Sequence, residues 1–145
     1  PPVARRAAGT SMTMSPDALC AFLDRPLIAT LVTLRADGSP TAVPVWFEWD
    51  GKVARLFTSK DSGKVTRIDA DPRVALSIAV PATESEAWVT IEGVATIEPT
   101  DLDLVRRLAY RYYGAEKAAA TLPGWEANAA SWVTIAISPT KVQSS

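Results

Sequence analysis

Thr58-Ser-Lys-Asp-Ser-Gly-Lys-Val-Thr-Arg-Ile-Asp-Ala-Asp-Pro-Arg73 is the stretch from which the rest of the chain can be read. It follows a bulky apolar run, Val53-Ala-Arg-Leu-Phe57, that predicts a strand ending in hydroxyl residues. Asp61 or Ser62 suits an N-cap, and Val65 and Ile68 share one helical face. Asp71-Pro72 ends the helix, because the residue before a proline avoids helical backbone angles. A strand thus delivers Thr58, Ser59, Lys60, Ser62 and Lys64 to a helix start, with Arg67 one turn further on. Unpaired N–H groups, the helix dipole and nearby cations together attract an anion. Alone, the same residues also suit a solvated, charged first turn. The surrounding chain decides between the two.

On the N-terminal side, residues 1–14 have no sustained period and read as an arm, with Met12 and Met14 as candidate native starts. Ser15-Pro16 opens a helix that places Leu19, Phe22 and Leu23 on one side and ends at Asp24-Arg25-Pro26. Cys20 reads as a packing residue among them. Residues 27–34 are almost continuously apolar, so both faces of this first strand are expected to be covered. Residues 40–49 form a second strand, and Asp50-Gly51 turns it into the third. Pro44 lacks a ladder donor and marks an edge, a bulge or a ligand-facing position.

On the C-terminal side, residues 73–80 and 87–97 form a fourth and fifth strand around a polar loop, with Gly93 signalling a bulge or a close backbone approach. Thr100 or Asp101 caps a helix with Leu102, Val105, Leu108, Ala109 and Tyr112 on one face, ending at Gly114. Residues 115–121 continue as helix until Leu122-Pro-Gly-Trp125 breaks the pattern, and residues 131–138 alternate as the last strand. Consecutive strands on tight turns pair antiparallel. About six of them close a small barrel, so the expected fold is α+β, a six-stranded antiparallel split β-barrel with flanking helices over residues 15–145.

Composition limits the chemistry. A chain of 145 residues with 48% hydrophobic and 21% charged residues is an ordinary soluble globule of one domain. A net charge of −1 leaves no electrostatic footprint for nucleic acid, and no apolar run is long enough to span a bilayer. A single cysteine fits a reducing, cytoplasmic setting. With no histidine there is no Ser-His or Cys-His nucleophile pair and no His-ligated metal. Any catalysis then falls to a bound cofactor.

Several spaced motifs carry a resemblance: Gly38-Ser-Pro-Thr-Ala-Val-Pro-Val-Trp-Phe47, Phe57-Thr-Ser followed by Gly63-Lys64, Asp71-Pro-Arg-Val-Ala-Leu76, and Trp88 with Glu92-Gly93. Over residues 15–142 the chain resembles the pyridoxamine 5′-phosphate oxidase-like split β-barrel superfamily, and within it the actinobacterial flavin/deazaflavin oxidoreductases of the B type. The resemblance implies a homodimer with cofactor sites at the subunit interface, and a cofactor whose phosphate-bearing tail lies at the strand-loop-helix around Lys64. FMN-binding members carry an arginine and a lysine where this chain has Val43 and Glu48. The coenzyme implied is therefore the deazaflavin F420, with FMN as the alternative. Lys60, Lys64 and Arg67 suit the anionic tail of F420, and Pro44, Val45 and Trp46 would lie against its tricyclic ring. Trp88 matches a tryptophan near the partner subunit's site, with plain packing as its other reading.

The activity implied is an F420H2-dependent reduction, a hydride passing to a small unsaturated or aromatic substrate. The other classes are an FMN-binding oxidase-like protein and a non-catalytic cofactor binder. Tyr110, Tyr112 and Tyr113 are each a packing residue or a proton source, and the sequence leaves the three equivalent. Trp49 and Trp132 read as packing, and Trp125 as a lid or a loop anchor.

Overall fold

The computed structural model describes residues 13–145, so all of the predicted arm but Thr13 and Met14 lies outside the described residues. The N–H groups of these two donate to the Ser144 hydroxyl at 3.1 and 3.0 Å. Helix α1 (Pro16–Leu23) starts where the Ser15 hydroxyl accepts from the Ala18 N–H, and it buries Leu19, Phe22 and Leu23. Cys20 is exposed, not packed. Its neighbours in sequence face the barrel, and one residue along a helix turns a side chain by about 100°.

Seven strands follow: β1 (Ala29–Leu34), β2 (Pro40–Val45), β3 (Glu48–Trp49), β4 (Ala54–Ser59), β5 (Arg73–Ala79), β6 (Trp88–Pro99) and β7 (Trp132–Ser144). Helix α2 (Gly63–Ala70) links β4 to β5, and α3 (Leu102–Tyr113) and α4 (Ala115–Ala127) lie between β6 and β7. The strands form one antiparallel sheet in the order β2-β1-β5-β6-β7-β4-β3. Its two end strands are consecutive in the chain. The chain leaves one sheet edge at Val45 and joins the other at Glu48, which curls the sheet into a split barrel.

This seam is why seven strands stand where six were predicted. The expected second strand, 40–49, breaks at Trp46-Phe47, where the backbone passes from pairing with β1 to pairing with β4. Phe47 is fully buried in the core, and its N–H is taken by the Tyr112 hydroxyl at 3.3 Å instead of a ladder partner. Pro44 pairs with Thr30 on the edge strand, so its missing donor breaks no ladder between two neighbours.

The core is the barrel interior, filled among others by Leu31, Phe47, Leu56, Leu76, Ile78, Ile91 and Ile137. Strand β1 is covered on one face only. Ala29, Leu31 and Thr33 are buried, whereas Thr30 is exposed and Val32 and Leu34 are half-buried. Its outer face continues into exposed Ala42, Pro44 and Ser77, a neutral surface that this chain alone does not cover.

Strands β6 and β7 form the longest ladder, and their register shifts between Glu92 and Gly93. Thr140 is the extra residue on β7, and its hydroxyl donates to the Glu92 carbonyl at 3.2 Å. A Cβ on Gly93 would run into the Ser138 carbonyl oxygen, so the close approach read from the sequence is real. Beyond this bulge β7 continues to Ser144, well past the predicted end at 138.

Asp101 caps α3 by accepting from the Asp103 and Leu104 N–H groups, and the helix buries Leu104, Val105, Leu108 and Ala109. Helix α4 runs through Pro123, where a break was expected. Packing outweighs the lost bond. Leu122 is buried, Trp125 joins an aromatic cluster, and the Asn128 side-chain amide donates to the Gly124 carbonyl at 3.0 Å. Among the described residues no helix is long and apolar enough to cross a membrane.

Candidate functional site

Strand β4 ends in Thr58 and Ser59, held by pairing with Val133 and Trp132 of β7. The Ser62 N–H then donates to the Ser59 carbonyl at 3.0 Å, and Ser59 Oγ accepts from the Asp61 N–H at 3.3 Å. This tight turn sets Ser62 as the N-cap of α2, but its hydroxyl makes no capping bond. It lies 3.4 Å from the Thr58 hydroxyl instead. The first N–H groups of a helix have no intrahelical acceptor, so this helix start keeps donors available.

Two cations stand beside them. Arg67 folds back one turn, its Nε donating to the Thr33 hydroxyl at 2.6 Å. Its guanidinium reaches to within 2.7 Å of where a Cβ on Gly63 would stand. Glycine at 63 is what leaves room for it. Lys64 is half-buried, and loss of hydration together with the Arg67 charge holds its ammonium below the usual lysine range. Among the described residues neither Lys64 nor Arg67 has a carboxylate within ion-pair distance. Two neighbouring cations without an acid between them leave uncompensated positive charge at this helix start.

A cavity of about 460 Å³ opens next to this helix start, lined by Ile28, Pro44, Val45, Trp46, Phe57, Thr58 and Lys64. The barrel seam supplies Pro44, Val45 and Trp46, the end of β4 supplies Phe57 and Thr58, and α2 supplies Lys64. One end is therefore hydroxyl and ammonium while the walls are apolar. Behind the wall, Trp46 stacks on Tyr112 at 4.8 Å and 5°, meets Tyr113 edge-on, and touches Trp125. Trp125 and Trp132 both pack on Phe57. Trp125 is an anchor within a helix.

Of the residues singled out in the sequence, Pro44, Val45, Trp46, Thr58 and Lys64 meet at the cavity, and Ser62 and Arg67 stand beside it at the helix start. Ser59 is used in the turn. Lys60 is exposed, with its N–H donating to the Ser131 carbonyl. Trp88 is not brought here within one chain; it lines a separate cavity of about 340 Å³ with Glu84 and Glu86. Sequence reasoning missed Ile28 and Thr33, and it named Phe57 and Gly63 as motif residues without giving them a place at the cavity or beside Arg67. Of the two missed, Thr33 left a signal, a threonine at an inward position of β1 whose buried hydroxyl requires a partner.

The pyridoxamine 5′-phosphate oxidase family model matches residues 15–144. The chain belongs to this family. It is similar to the F420H(2)-dependent biliverdin reductase of Mycobacterium tuberculosis (strain CDC 1551 / Oshkosh), at 38% identity over 105 residues covering 71% of this chain and 72% of that protein. It is also similar to a solved F420 reductase, at 30% identity and a TM-score of 0.70 over 85% of this chain and 94% of the other. A conserved hypothetical protein of Mycobacterium tuberculosis superposes with a TM-score of 0.75 over 92% of this chain and 86% of that one, at 24% identity, which bears on the fold alone.

Val43 and Glu48 stand where the resemblance implied phosphate-binding cations. Val43 packs against the core. Glu48 points to α3, in a bidentate pair with Arg107 at 2.6 and 3.0 Å. Its charge is thus balanced, and it is not among the residues lining the cavity. The tyrosines also separate. Tyr110 is 48% exposed, Tyr113 carries the Lys117 ammonium over its ring at 3.9 Å, and the Tyr112 hydroxyl donates to the Leu27 carbonyl at 2.8 Å.

Proposed function

We propose that this protein is an F420-dependent reductase acting on a small unsaturated or aromatic substrate. The observation that carries the reading is the junction, at one cavity, of the Lys64 ammonium at a helix start with an apolar wall made by the barrel seam. Thr58, Ser62, Lys64, Arg67 and the first N–H groups of α2 would hold the anionic tail of the coenzyme. Pro44, Val45 and Trp46 would lie along its ring and keep water from it. When bound in reduced form, the coenzyme supplies a hydride. The residues here place and shield the reacting groups, which suits a chain without histidine. The Tyr112 hydroxyl is already engaged with backbone groups, which favours solvent over this phenol as the source of the proton.

FMN is kept as a second reading, because the Arg107 pair removes the repulsion that Glu48 would otherwise exert on a flavin phosphate. Fluorescence titration of the purified protein with F420 and, in parallel, with FMN tests the choice. Tight F420 binding with weak FMN binding is expected. Preference for FMN would move the protein to the flavin-using side of the family, and binding of neither would leave a barrel with no demonstrated chemistry and put the non-catalytic reading first.

The same reading includes a homodimer with sites at its interface. The neutral outer face around Thr30, Ala42, Pro44 and Ser77 supports it, as does Ile28, 52% exposed yet lining the cavity. Light scattering at micromolar concentration is expected to give the mass of two chains. A monomer would contradict this part of the reading.

A further inference from the structure

Three consecutive residues end α3, one reaching the end of α1 and the other two reaching the barrel seam. Arg111 donates to the carbonyls of Leu23, Asp24 and Arg25, which closes the C-terminal end of α1. Tyr112 donates to the Leu27 carbonyl at 2.8 Å and accepts from the Phe47 N–H at 3.3 Å. Tyr113 stands edge-on to Trp46 with ring centroids 4.8 Å apart. The Tyr112 ring lies parallel to the Trp46 indole, at 4.8 Å and 5°, and the Arg111 guanidinium stands over the Phe47 and Tyr112 rings at 5.4 and 5.5 Å. Tyr112 therefore grips the seam twice. Its oxygen holds the backbone where the chain leaves one sheet edge for the other, and its ring backs the side chain of the residue just before.

We infer that Tyr112 is the positioning residue of the cavity: it sets the Trp46 indole, and through it the wall against which a conjugated ring lies. This rests on the proposed cofactor reading and extends it to a residue outside the cavity lining. The seam at Trp46-Phe47 belongs to neither β2 nor β3, so no ladder bond fixes it. A phenol fixed by α3 does so instead. Stacking holds the indole plane with a preferred offset, and the hydrogen bonds hold the backbone from which it projects.

The test is a double-mutant cycle on the full chain with Tyr112→Phe, Trp46→Phe and both together, titrated with oxidised F420. Tyr112→Phe keeps the ring and deletes only the oxygen, and a lost buried hydrogen bond is expected to weaken binding about tenfold. If Tyr112 acts through Trp46, the double variant binds no more weakly than the worse single one. Affinity losses that multiply, or Tyr112→Phe binding like the unaltered protein, overturn the inference. So does Tyr112→Phe that binds normally but does not turn over, which would make the phenol an acid. Tyr113→Phe, which keeps the ring contacts of Tyr113 and removes a hydroxyl that makes no hydrogen bond among the described residues, is the control and is expected to change affinity less than twofold; an effect equal to that of Tyr112→Phe overturns the inference.

Near-ultraviolet circular dichroism without cofactor gives a readout independent of the cofactor reading. Tyr112→Phe is expected to lose part of the aromatic band that Trp46→Phe also loses, with its far-ultraviolet spectrum intact. An unchanged aromatic band overturns the positioning role even if the unaltered protein binds no F420. Failure of F420 binding with the band lost would overturn only the cofactor reading.

Discussion

Lys64→Ala is expected to raise the Kd for F420 by about ten- to a hundredfold, because a hydrogen bond to a charged group is worth about 1.5–3 kcal/mol. The size follows from the surroundings of the ammonium. It is half-buried, it is destabilised in its charged form by lost hydration and by Arg67, and it has no carboxylate partner among the described residues. An arriving anion relieves that repulsion, so binding and protonation are linked. Because the free protein's Lys64 gives up its proton below the usual lysine range, affinity is expected to fall as pH rises toward that range, and anion binding to draw the proton back. Lys64→Ala should lack this alkaline limb. The fold is expected to survive, since removing the charge leaves no orphaned partner. Titration of the variant across pH, with a thermal melt alongside, gives the answer. Unchanged affinity would remove the helix start from the binding site.

Gly93→Ala is expected to destabilise the barrel by about 3 kcal/mol, the upper part of the range for forcing an atom into packed structure. The added Cβ meets the Ser138 carbonyl oxygen, the Ser138 carbonyl carbon at 3.0 Å and Ile137 Cγ2 at 3.1 Å. These are backbone and core atoms of β7, so no flexible side chain can swing aside. The strain falls at the register shift in the longest strand pair, where relief means separating the two strands. For a chain of this size the melting temperature should drop by about 10 °C. Gly124→Ala is the matched control. Its added Cβ meets open space in α4, and exchanging glycine for alanine in a helix is worth about 1 kcal/mol in favour of the variant. Thermal or urea unfolding of both variants measures the contrast. A Gly93→Ala protein that melts with its parent would show that the bulge yields without cost.

The two substitutions probe features that local sequence already signals. A glycine inside an apolar, alternating strand gives up side-chain packing and costs chain entropy, so Gly93 pointed to a bulge or a close backbone approach. The helix start was legible too: hydroxyls at the end of a strand, Gly63-Lys64 and a stop at Asp71-Pro72 are local signals, and α2 runs from Gly63 to Ala70 as they require. The α+β antiparallel barrel followed from strand spacing and turn chemistry, which act over a few residues.

What escaped the sequence depends on distant partners. Strand 40–49 looked continuous because most of its residues favour extended backbone. Only closure of the sheet, with β2 and β3 at opposite edges, makes Trp46-Phe47 a seam. Pro123 looked like a stop, and the aromatic cluster around Trp125 overrode it. Cys20 looked packed because its neighbours are apolar, yet helical rotation turns it to solvent. Glu48 looked like a misplaced charge, but Arg107, 59 residues further along the chain, lies against it and balances it. Most of the elements, the barrel class and the cation-flanked helix start follow from amino-acid order alone, since they rest on periodicity, caps and turns. Which side chains share the cavity, and which tyrosine holds its wall, is set by tertiary packing, because those contacts join residues that no local rule relates.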